Sequence, residues 1–164
     1  MNPRMDNRGR NEWGEPKQPG GWRSRIPSGL PVSISGLILL ICIVIFLLSN
    51  IFPEYVYYYL TLNQDYVMAR PWTLITSMFV HFTFDHLFLN MLFLFFFGMN
   101  LERLVGEKKF LEIYIISGIV AGAAQMLMTD GFSFGASGAL YGVLGCLAII
   151  APQIRVYLFF IIPL

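Results

Sequence analysis

Three polar residues set within long apolar stretches have types and spacings that suggest chemistry: Ser137, His86 and Asn90. Ser137 stands in Gly135-Ala136-Ser137-Gly138, where a loop is expected to become a helix. Glycines there permit a tight turn and the close approach of a second chain. A helix N-terminus adds free N–H groups and positive potential, which suit an oxyanion. The same residues also read as plain architecture. Serine is a favoured N-cap, and Gly138 with Gly142 forms a small-residue packing face, a spacing that Gly118 and Gly122 repeat. The segment also lacks the second glycine of the hydrolase elbow G-x-S-x-G.

His86 and Asn90 lie four residues apart, so they share one face of a helix. An imidazole and an amide on one face can donate hydrogen bonds to a developing oxyanion. They can equally tie two helices together, because polar groups at membrane depth need partners. His81 lies a turn or more further out. His81, Asp85 and His86 together are a poor metal set, with an i, i+4, i+5 spacing and no strong third ligand. Tyr141, four residues after Ser137, falls on the same face and reads either as support for an imidazole or as packing. Glu102 and Arg103 close an apolar run between Gly98 and Gly106. An acid at a helix C-terminus opposes the dipole, which points to a dedicated partner such as Arg103 or loop backbone.

The elements that must position these residues are membrane helices. Of 164 residues, 56% are hydrophobic and 13% charged, with mean hydropathy +0.63. A soluble domain carries roughly 25% charged residues, so a water-facing surface is excluded. Net charge is +1, so no basic field points to nucleic acid. Spanning helices need about 20 apolar residues, and the sequence predicts them over Val32–Phe52, Trp72–Leu101, Phe110–Met128 and Phe132–Ile150, with a fifth beginning after Arg155. The Tyr-rich stretch Glu54–Arg70 suits headgroup depth. Cys42 and Cys146 sit in apolar runs and are expected to pack as small hydrophobes.

Residues 1–31 read as a basic, disordered tail, and residues 32–164 as one membrane domain. Lys and Arg alternate across the crossings, in the tail, at Arg103, Lys108 and Lys109, and at Arg155. This predicts a cytoplasmic N-terminus in a multi-pass protein of the plasma membrane, with the loops at Glu54–Arg70 and Thr129–Ala136 facing outward. His86, Asn90 and Ser137 then fall at similar depth below the outer interface. The final apolar run, about ten residues, is too short to span, so the domain is expected to continue past Leu164.

Taken together, these residues resemble the rhomboid family. The matching pieces are His81-Phe-Thr-Phe-Asp-His86-Leu-Phe-Leu-Asn90, then Gly98 through Glu102-Arg103 and Gly106, then Gly135-Ala136-Ser137-Gly138 with Tyr141. The likeness runs from about Trp72 to Gly145, and the two motifs in this order are far more specific than either alone. It implies an all-α, polytopic bundle of about six spans and an intramembrane serine endopeptidase that cleaves transmembrane helices of membrane proteins without metal or organic cofactor. It implies Ser137 as nucleophile, His86 and Asn90 as oxyanion-hole side chains with the Ser137 N–H, and Tyr141 packed on the catalytic imidazole, with Gly135, Gly138 and His81 in support. Glu102 and Arg103 become structural.

Two departures stand out. Trp72 is followed by Thr73 where the family often has arginine. The family's base is a histidine on a sixth span, whereas the histidines here are His81 and His86. The 164 residues alone thus hold no serine–histidine dyad, and the base is expected beyond Leu164. The alternative from another class is a non-catalytic rhomboid-like protein that binds transmembrane helices. A transporter is disfavoured, since charges sit at span ends and no broken-helix repeat is visible.

Overall fold

A computed structural model describes residues 33–152 together with 157–158 and 162–163; the tail predicted over residues 1–31 lies outside the described residues. Helix α1 (Ile34–Ile51) begins where the Ser33 side chain accepts from the Gly36 N–H, an N-cap. It ends at Phe52 and turns into α2 (Pro53–Leu60), with proline in the first turn, where a missing N–H costs nothing. Strand β1 (Leu62–Asn63) and the short α3 (Thr73–Thr76) follow, then a 3-10 turn at Ser77–Phe79.

The second span starts later than the hydropathy suggests. Val80 is extended, and Thr83 caps a new helix by accepting from the His86 N–H, so the crossing runs from Phe84 rather than Trp72. It continues as α4 (Phe84–Phe93), a π-helical turn at Leu94–Gly98 and α5 (Met99–Val105). Gly106 joins α5 to α6 (Glu107–Met128) at φ 86°, a conformation that favours glycine.

The fourth predicted span is also shorter. Phe132–Ser133 forms β2, antiparallel to β1 with Leu62 opposite Ser133 and Asn63 opposite Phe132, and α7 runs only over Ser137–Ile150. The two loops that the charge pattern assigns to one side are therefore hydrogen-bonded to each other. Where a fifth helix was expected, Tyr157–Leu158 (β3) and Ile162–Pro163 (β4) pair antiparallel.

Ile34–Ile51, Phe84–Val105 and Glu107–Met128 are long and apolar enough to cross a membrane. With 14 residues, α7 spans about 21 Å at 1.5 Å per residue, short of a ~30 Å hydrocarbon core. Leu40, Leu47 and Ile51 on α1, and Ile116, Val120 and Leu127 on α6, face outward. Apolar patches of that extent are at home in lipid and are rare on soluble proteins. The chain is an integral membrane protein.

The core lies where α1, α4, α6 and α7 meet, around Cys42, Leu94, Leu101, Phe110, Tyr114, Ala139 and Val143. Cys42 and Cys146 are both free thiols. Helix α7 lies on α6 through its glycines: a Cβ at Gly138 would strike Ala121, and one at Gly142 would strike Ser117. The α6 glycines look elsewhere, Gly118 onto Met78 and Gly122 onto Leu62. Small residues thus serve packing on both sides of α6.

Candidate active site

Residues from three segments meet at the end of the bundle that carries the β1–β2 pair. Ser137 is the first residue of α7, yet it is not the N-cap; that position is held by Ala136, which has no side chain to cap with. The Ser137 hydroxyl is exposed and takes no side-chain hydrogen bond among the described residues. The architectural reading of Ser137 as a cap therefore fails, and its oxygen remains free.

The turn before it is tightly held. Gly135 lies at φ 107°, and its N–H donates to the Ser77 carbonyl at 2.9 Å. A Cβ at Gly135 would stand 2.6 Å from His86 Cε1 and 2.8 Å from His86 Nε2, so the imidazole leans directly on the glycine. Here glycine is needed twice, for its positive φ and for the space. Phe134 flanks the same ring, with centroids 6.0 Å apart.

His86, at the third position of α4, is half-buried. Asn90 is buried one turn later, on the same face, and its amide donates to the His86 carbonyl at 2.7 Å. Its hydrogen bond therefore stays within its own helix and does not tie two helices together. His81 lies in the link before α4 and is fully buried. Its ring meets that of His86 edge-on, with centroids 4.9 Å apart, and its Nε2 accepts the Ala136 N–H at 3.4 Å. Burial is the main cause that lowers the His81 pKa from 6.5 to about 4, and the His86 imidazole adds to the effect. The Phe79 carbonyl acts the other way without reaching hydrogen-bond geometry, and Nδ1 is left buried without a partner.

Tyr141 is 74% exposed and shares a bare stripe of α7 with Ser137 and Gly145. Among the described residues no three His, Cys, Asp or Glu side chains converge as a metal site would require. The structure thus brings His86, His81, Gly135 and Ser137 into one neighbourhood, with Asn90 below them and Tyr141 on the open side.

A family model described as the Rhomboid domain matches residues 68–164. The chain belongs to the rhomboid family. It is 38% identical over 108 residues to Rhomboid protein 1, mitochondrial, of Saccharomyces cerevisiae, an alignment covering 62% of this chain and 31% of that protein. It is 39% identical over 93 residues to Rhomboid protease GluP of Bacillus subtilis, covering 57% and 18%. With Rhomboid protease GlpG of Klebsiella pneumoniae it shares 30% over 110 residues, covering 66% and 40%. The chain spans well under half the length of these relatives.

Rhomboid membership does not select the membrane, since one relative is mitochondrial by name. Two contributors at this site carried no signal in the sequence. Ser77 acts through its carbonyl, which any residue has, and Phe134 was one aromatic among 15 phenylalanines. Glu102 had a signal, since an acid at a helix C-terminus opposes the dipole, but the partner is not Arg103, which is exposed. The carboxylate accepts instead from the Ile34 N–H at 2.7 Å, the Ser35 N–H at 2.9 Å and the Ser35 hydroxyl.

Proposed function

We propose that this rhomboid protein is an intramembrane serine endopeptidase that cleaves a transmembrane segment of another membrane protein near the interface at the β1–β2 end. The observation that carries the reading is the free, exposed Ser137 hydroxyl at the start of α7, on a glycine turn pressed against His86. The relatives named as proteases support it. In this reading Ser137 attacks the scissile carbonyl. The Ser137 N–H, at the head of a helix, and the His86 and Asn90 side chains stabilise the oxyanion. Gly135 and Gly138 allow the turn and the close helix contact.

The base is a histidine outside residues 1–164. His81 is buried and already committed to Ala136, and His86 leans on the oxyanion side of the turn. The bare stripe of Ser137, Tyr141 and Gly145 is where such an imidazole would arrive, packed on the Tyr141 ring. Helical substrates must unwind locally to expose a carbonyl, so segments with small or helix-breaking residues near the interface are favoured. The charge pattern supports a cytoplasmic N-terminus with the site facing outward.

Ser137→Ala in the full-length protein tests this. Cleavage of a membrane-protein substrate and labelling by a fluorophosphonate are expected to fall by as much as about 10⁶ in rate, as when a serine nucleophile is removed. Because Ser137 is no cap, the melting temperature is expected to stay put. Undiminished cleavage by the variant would refute Ser137 as the nucleophile, and absence of both cleavage and labelling in the parent would instead favour a rhomboid-like protein that binds transmembrane helices without cutting them.

A further inference from the structure

The turn that delivers Ser137 is held from three sides. Ser77 holds Gly135 through its carbonyl, and the His86 ring fills the space where a Gly135 side chain would stand. The third hold is on Ala136, the residue immediately before Ser137. Its N–H points at His81 Nε2, and both residues are fully buried. The amide belongs to the N-cap of α7, where backbone donors have no helical partner and must find one elsewhere.

A ring nitrogen that accepts a hydrogen bond carries no proton, so His81 must be neutral with its hydrogen on Nδ1. The pairing spans 55 positions of sequence and joins the link before α4 to the head of α7. No other acceptor for this amide is present among the described residues. An apolar residue at position 81 would leave a buried N–H unsatisfied, and the turn would shift to find water or another acceptor. Ser137 follows Ala136 directly and would move with it.

We infer that His81 is a positioning residue for Ser137: as a neutral imidazole accepting the Ala136 N–H, it fixes the Gly135–Ala136 turn and takes no part in bond making. This rests on Ser137 being the nucleophile. It assigns the two histidines different tasks, His86 beside the oxyanion and His81 behind the turn.

The test compares the full-length parent with His81→Gln and His81→Leu, using three readouts. The first is the His81 tautomer in the parent, from ring ¹⁵N shifts. A bare Nε2 and a protonated Nδ1 are expected, and a proton on Nε2 overturns the inference without any variant. The second is hydrogen exchange at the Ala136 amide. Protection is expected to be lost in His81→Leu and largely restored in His81→Gln, whose amide oxygen offers an acceptor. Unchanged protection in a folded His81→Leu protein also overturns it.

The third is the rate of fluorophosphonate labelling at Ser137. A displacement of about 1 Å can cost roughly 10² in rate, so a loss of that size is expected in His81→Leu, with reagent affinity little changed and most of the rate recovered in His81→Gln. Equal losses in both variants would show that ring shape matters and the acceptor does not. Failure of the parent to label at Ser137 would refute the nucleophile reading alone, because the tautomer and the Ala136 exchange still decide whether His81 holds the turn.

Discussion

The two ends of the bundle treat their buried polar groups in opposite ways. At one end, Glu102 is 7% exposed and saturated by the Ile34 and Ser35 N–H groups and the Ser35 hydroxyl. A carboxylate there also meets the positive end of the α1 dipole. At the other end, His81 uses one nitrogen and leaves the other without a partner, while Ser137 and Tyr141 lie open. At these two ends the buried group that serves architecture is satisfied, and the one with spare capacity lies at the proposed site; the Tyr114 hydroxyl, buried in the core, also lacks a partner. Glu102 and Ser137 look equally unusual in an apolar sequence, and their surroundings separate them.

The sharpest way to break this contrast is to remove the proposed oxyanion donors. His86→Ala is expected to slow cleavage by about 10²–10³, the loss usual for one oxyanion-hole donor. Asn90→Ala is expected to lose less, because its amide now donates to the His86 carbonyl and must turn away to help. The double variant should lose less than the summed free energies, since both donors act on one oxygen. Melting temperature measured beside the rate keeps folding apart from chemistry. If rates per folded molecule stay within about threefold of the parent, well below that range, the site end is as structural as the Glu102 end.

The complementary change is Glu102→Ala. It leaves two N–H groups at the start of α1 and the Ser35 hydroxyl without an acceptor, at roughly 1–3 kcal/mol for each group that stays buried. Partial rehydration of the α1 terminus brings the expected loss to about 2–4 kcal/mol in mixed-micelle unfolding. Glu102→Gln, with one oxygen left, should recover part of it. Labelling at Ser137 per folded molecule should not change in either variant. A drop as large as that of His86→Ala would show the two ends to be coupled.

The sequence made these elements legible to different degrees, for physical reasons. Apolar runs, uncharged over α1 and broken only by Glu112 over the predicted α6 span, mark these helices to within a few residues, because the hydrocarbon core filters on composition. The start of α4 was misplaced by about a dozen residues, because hydropathy does not register the extended Val80 or the Thr83 cap. The β1–β2 pair is two residues on each side and carries no periodicity to detect. At the site, the glycines around Ser137 announced a tight turn, and Gly135 bears that out with its positive φ. The Glu102 contacts to α1 and the His81 contact to Ala136 join residues 67, 68 and 55 positions apart. Such contacts depend on how the helices stack, which spacing does not encode.

The smallest expected effect concerns acidity, and its sign follows from His81. Burial lowers the folded-state pKa to about 4, whereas the unfolded chain titrates near 6.5. Between these values the unfolded state holds more protons, so stability rises with pH there. The contribution is complete above about 6.5, declines as pH falls through the window and levels off below about 4. From pH 7 to pH 5.5 the unfolded chain gains most of one proton, a loss of about 1 kcal/mol. His81→Gln cannot take up that proton. The parent should therefore lose about that much more stability than the variant over this range, measured by unfolding midpoints in the same micelles. His86 is the other histidine and is present in both proteins, so its own titration largely cancels in the difference. An equal loss in parent and variant would mean that His81 accepts a proton without leaving its place. A cationic ring has no lone pair for the Ala136 N–H, so that result would separate the polar groups of this end from any role in holding the Ser137 turn.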